Sequence, residues 1–241
     1  MAGIVSVGLH HKWLRVTPGG RHDPGTEHAA ALTDAVTTAV RHGQWRTAAS
    51  AVKALASFGT AAAPALDVVR PLADADDVDL RTAAAAALWD IERDAAAAVP
   101  RLERLLDSHE CRAAADALGR IGPSAEMALP RLRTMLDAGY EWTQVHAAAA
   151  LWDIAGEEEA EAVVQTLLTA WERNDYTASH VLTCLNRMGP AAARALPRIR
   201  AELALPRRGR SRGLADDEEV QRRGRAILAS RTGARLPYAA R

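Results

Sequence analysis

Apolar residues recur at three- and four-residue steps along most of this chain, in short bursts that come in pairs. Leu80, Ala84, Ala87, Leu88 and Ile91 line one face of a helix with a period near 3.6 residues. The first burst of a pair ends at Gly59, Gly122 or Gly189, where glycine supplies the left-handed backbone that closes a helix. Pro123 and Pro190 forbid its continuation. The second burst carries Val99-Pro100-Arg101-Leu102, Leu129-Pro130-Arg131-Leu132 or Leu196-Pro197-Arg198-Ile199. Leu105, Leu106, Met135 and Leu136 extend its buried stripe. Thr60 and Ser124 stand where they are expected to cap this second helix. Acidic turns such as residues 74–79 lead on to the next pair.

The pairs repeat, and self-similarity at a period of a few tens of residues is the mark of a helical array. AAAALWDI stands at 84–91 and again at 147–154, with related strings at 54–59, 117–122 and 184–189. Anchored on Leu55, Leu88, Leu118, Leu151 and Leu185, the spacings are 33, 30, 33 and 34 residues. The expectation is an all-α, right-handed α-solenoid of about five helix pairs. It spans residues 29–204 and opens with a lone capping helix at 29–42. Residues 1–28 carry prolines and glycines without helical period and are expected to be irregular. Residues 205–241 read as a basic loop, then a capping helix from Ala215 to Ser230 whose opening acids suit a helix N-terminus.

The pattern resembles HEAT repeats, in particular the short bacterial kind first described in phycobilisome lyases. In those the first helix reads roughly V-R-x-x-A-A-x-A-L-G-x-I-G, and LRTAAAAALWDI at 80–91 and CRAAADALGRIG at 111–122 are similar to it. Trp89 and Trp152 replace the pattern's glycine, and its leading arginine is kept only as Arg81, with Cys111 and Gln144 at the equivalent positions. The resemblance implies a fold and says little about function.

Composition narrows the rest. No apolar run is long enough to span a membrane, and the first residues lack the layout of a secretory signal. Cys111 and Cys184 have no CxxC spacing and read as reduced thiols, so a cytoplasmic location is expected. Net charge is zero, yet twelve arginines against five acids from Arg198 onward leave that end at about +7 and the body mildly acidic.

Candidate chemistry is sparse. His109-Glu110 is a single His-Glu pair, short of the several donors a metal needs, so no metal or other cofactor is expected. His146 and His180 hold one register position in consecutive pairs, which places them about 10 Å apart. Trp171 and Asp175, four apart, resemble the pairing in HEAT-like DNA glycosylases, and Arg207, Arg208, Arg210 and Arg212 form a basic stretch that could meet phosphate. The lyase resemblance implies a bilin, for which no pocket motif stands out. The expected function is therefore a non-enzymatic adaptor holding a protein partner, acidic in character, on a concave ridge of second helices through Arg101, Arg131 and Arg198. The alternatives are a nucleic-acid-binding protein akin to those glycosylases or a lyase-type small-molecule enzyme. A further expectation concerns register. Asp90, Arg120, Asp153 and Arg187 each stand two places after an anchor leucine, as a charge ladder in which each arginine reaches the aspartate on either side. One place earlier, Trp89, Gly119, Trp152 and Asn186 alternate large with small, so that an indole fills the space a glycine leaves.

Overall fold

The chain is all-α, in a computed structural model that describes residues 24–205 and 213–232. Twelve α-helices and no strand are found among the described residues. In order they are α1 Pro24–Arg41, α2 Trp45–Ala56, α3 Leu66–Leu72, α4 Val78–Glu92, α5 Ala95–Leu105 and α6 Cys111–Ile121. There follow α7 Leu129–Met135, α8 Glu141–Ala155, α9 Ala160–Arg173, α10 Ala178–Arg187, α11 Leu196–Leu203 and α12 Leu214–Thr232. Their principal contacts are with helices one or two places away in the chain. All five anchor leucines are buried, each within its helix's apolar face.

Two local expectations are corrected. Residues 24–28 are already helical, because proline at a first helical position gives up an N–H that has no partner there anyway; residues 1–23 lie outside the described residues. Gly59, Gly122 and Gly189 do take positive φ, +55°, +72° and +54°. Thr60 and Ser124, however, cap nothing, since each glycine opens a seven-residue 3-10 segment: Gly59–Ala65, Gly122–Ala128 and Gly189–Ala195. The i to i+3 bonds of such a segment take up the N–H groups a cap would serve, as when Ala61 N donates to Phe58 O at 3.2 Å.

The short 30-residue spacing has a physical cause. After α4 there is no 3-10 segment: Arg93 takes the left-handed conformation at φ 60° and Asp94 turns the chain directly into α5. The Asp94 carboxylate accepts from Ala96 N at 2.9 Å and Ala97 N at 3.3 Å. Helix α8 ends differently, at Gly156 and a short 3-10 turn, Gly156–Glu159.

Neighbouring first helices are unevenly spaced. Helix α4 lies close on α2, and α8 close on α6, whereas α4 and α6 touch far less. The two close junctions share one detail. A Cβ at Gly59 would lie 3.7 Å from the Asp90 carbonyl oxygen, and one at Gly122 would lie 3.7 Å from that of Asp153. Gly119 deepens the second junction, since a Cβ there would come within 3.3 Å of the Ala150 Cα and 3.2 Å of Asp153 Oδ2. The space left by Gly119 is therefore filled by the backbone and carboxylate of α8, and the expectation that an indole fills it is corrected. Gly224 plays the same part for α12, where a Cβ would meet Leu203 Cδ2 at 3.2 Å. The buried core divides around α4: Ala84, Ala87 and Leu88 pack toward α1–α3, while Ala85 joins the cluster of α5 through α12.

Candidate functional site on the first-helix face

The second-helix arginines are held from within. Arg101 Nη2 pairs with Asp74 Oδ2 at 3.1 Å, and its Nη1 donates to Ala97 O at 3.0 Å. Arg131 pairs with Asp107. Asp74 and Asp107 occupy the turns that follow α3 and α5, so each arginine ties its helix to the turn before the preceding first helix. The hydrogen bond from Arg101, aided by the charges of Arg104 and Arg81, lowers the Asp74 carboxyl below its usual range. Arg198 instead lies 4.1 Å over the ring of buried Trp171 and pairs with Glu202 at 2.9 Å. The expected ridge residues therefore share a spacing but not one environment.

The face formed by the first helices is more open. Between α4 and α6, with α2 behind, runs a groove of about 240 Å³ floored by Ala83, Ala86, Ala87 and Ala113. Lys53, Asp90, Asp116 and Arg120 stand on its margins. The sequence signal for it was a run of alanines at positions that in other units carry Lys53, Asp116 or histidine; small side chains leave volume where helices part.

The charge ladder forms in one direction. Arg120 Nη2 donates to Asp90 Oδ2 at 3.0 Å, and Arg187 Nη2 pairs with Asp153 Oδ2 at 3.1 Å, each reaching back to the unit before. Exposed pairs of this kind contribute no more than about 1 kcal/mol each. Asp153 is squeezed against α6, and that desolvation raises its carboxyl pKa despite Arg187, with Asp116 adding to the rise. A carboxyl whose folded pKa is raised adds stability below its unfolded pKa, about 3.9, and loses it as pH rises through the folded value. Asp153→Asn should therefore flatten the fall in melting temperature over the pH range just above 4; an unchanged pH profile would refute the assignment.

His146 and His180 are nearer than their register suggested. Their ring centroids lie 5.9 Å apart, and Trp142 meets His180 edge-on at 4.9 Å. The rings lean toward each other across the α8–α10 junction, which main-chain spacing alone does not show. His146 Nδ1 lies 2.6 Å from Asp116 Oδ1. Desolvation, with His146 and Arg223 nearby, lowers the His180 pKa, and only Asp116 opposes this. A histidine with a lowered folded pKa adds stability above its unfolded value, about 6.5, and that stability is lost as pH falls below it. His180→Gln should remove this part of the acid sensitivity, read as melting temperature between neutral and mildly acidic pH.

At the N-terminal ends of the same helices, around the entry to α2, α4 and α6, lies a second hollow of about 510 Å³, lined by Trp45, Arg46, Asp77, Asp79 and His109. Asp79 Oδ1 stands 3.0 Å from His109 Nε2. Trp45 is exposed to 44%. Asp79 was not singled out in the sequence, yet it and His109 share one register position, nine residues before Leu88 and Leu118.

Trp171 and Asp175 do not form a common face. Trp171 is 1% exposed, and α9 ends at Arg173 with an extended Asn174 that sends Asp175 into the next turn. Arg207, Arg208, Arg210 and Arg212 lie outside the described residues. Among the described residues no helix is long and apolar enough to cross a membrane.

The fold and this face define an all-α protein of locally packed helices with a grooved first-helix surface. No family model matches the chain, and no curated protein matches it either.

Proposed function

We propose that this protein is a HEAT-type helical-repeat adaptor, a right-handed α-solenoid that holds a segment of a partner protein. The observation that carries the reading is the alanine-floored groove between α4 and α6. A floor of methyl groups accepts an apolar segment at little desolvation cost, and the charged margin of Lys53, Asp90, Asp116 and Arg120 fixes its direction. The ridge of Arg101, Arg131 and Arg198 is a poorer seat, because an acidic partner there must displace Asp74, Asp107 or Glu202 before it gains a contact. The partner is thus read as a protein segment with small apolar residues, and the location as cytoplasmic.

The test places a photo-crosslinking residue at Ala86 or Ala113 and, as a comparison, at Arg131. Crosslinks to one defined partner segment from the groove positions, abolished by Ala86→Glu, are expected. Crosslinking from Arg131 alone, or binding of duplex DNA that survives Ala86→Glu, would move the function to the second-helix ridge or to nucleic acid.

A further inference from the structure

We propose that Asp79, His109 and Glu110 form a binding site for a divalent transition-metal ion of the zinc class. Each of the three offers a donor atom, and these atoms all lie within 4.8 Å of one another. A zinc ion bonded at about 2 Å to each donor needs donors roughly 3–4 Å apart, so small side-chain rotations close the set. One imidazole with two carboxylates suits zinc, nickel or copper better than calcium or magnesium, which favour all-oxygen shells.

No helix cap occupies these donors, and the Asp79–His109 contact is one that a bound ion would replace. Asp77, not Asp79, caps α4, its carboxylate accepting from Leu80 N at 2.9 Å. Glu110 holds the N-cap position of α6 but makes no side-chain cap bond. The turn that carries His109 and Glu110 is fixed by Ser108. Its hydroxyl donates to Leu105 O at 2.7 Å and accepts from Glu110 N at 3.1 Å. The Ser108 carbonyl accepts from Cys111 N at 3.1 Å. A preset turn lowers the ordering cost of binding. The adjoining hollow beside Trp45 leaves room for the water or external ligand that completes a coordination shell. Two helix N-termini close by oppose a cation, so the two carboxylates are needed to offset them. The ion would join the start of α4 to the start of α6, across the junction where those helices otherwise part.

The test titrates zinc ion alone into the full chain by calorimetry and follows thermal unfolding. His10 and His11 are replaced by alanine in every protein, so that this adjacent pair cannot contribute. One site is expected, with a zinc-dependent rise in melting temperature, and both signals should vanish in His109→Ala and in Asp79→Asn. Asp79→Asn keeps the side chain's shape, and circular dichroism shows whether either variant remains folded. Binding that persists in both variants, or a folded parent that takes up no zinc at millimolar concentration, overturns the proposal.

Discussion

Trp171→Ala should lower the unfolding free energy by about 3–5 kcal/mol, the range for emptying a large buried aromatic site. Trp171 lies in α9 at 1% exposure among the buried residues of α8 through α11, and it carries more than its own volume. The Arg198 guanidinium rests on its ring face at 4.1 Å, a contact that is worth more as the pair is desolvated. Removing the ring therefore opens a cavity and strips the support from a half-buried charge that Glu202 alone then holds. The indole nitrogen is buried without a hydrogen-bond partner, so Trp171→Phe gives up no bond and should cost well under half as much. Denaturant unfolding followed by circular dichroism reads both. A Trp171→Ala protein within about 1 kcal/mol of the parent would show that the surrounding helices close over the gap.

Gly119→Val should cost about 1–3 kcal/mol, the range for overpacking a close contact. Gly119→Ala should come out near zero. The added methyl gains up to about 1 kcal/mol of helix propensity, and it meets the Ala150 backbone at 3.3 Å, where α6 and α8 must part by a few tenths of an ångström. A branched side chain has no such small adjustment open to it. The contrast with Asn186, which fills the equivalent place in α10, separates a demand of this junction from a property of the position. A Gly119→Val protein as stable as the parent would mean that α8 does not depend on that approach.

What was legible in the sequence is the part that rests on local chemistry. Leu55, Leu88, Leu118, Leu151 and Leu185 are buried as their spacing required, since helical periodicity fixes which face is apolar. The turn glycines take positive φ for the same local reason. What was not legible depends on distances between units. His146 and His180 approach because their side chains lean together, and Arg120 prefers Asp90 because the Asp153 carboxylate is pressed over Gly119. The groove arises where two helices part, which no single helix encodes. Asp79 carries no such signal because it meets His109 only across 30 residues that include α4 and α5, whereas His109-Glu110 is visible as a dipeptide. Arg101 and Arg131 were found by their spacing, but their aspartate partners lie in turns whose path the sequence pattern does not trace.

The uneven spacing of the first helices has a mechanical consequence. A pull along their row is not shared equally, because α2 with α4 and α6 with α8 each pack closely enough to move as a block. Compliance concentrates at two softer joints, between α8 and α10 and between α4 and α6, and the second of these is also the groove. Whatever wedges into the groove acts as a strut, setting the angle between the block of α2 with α4 and the block of α6 with α8.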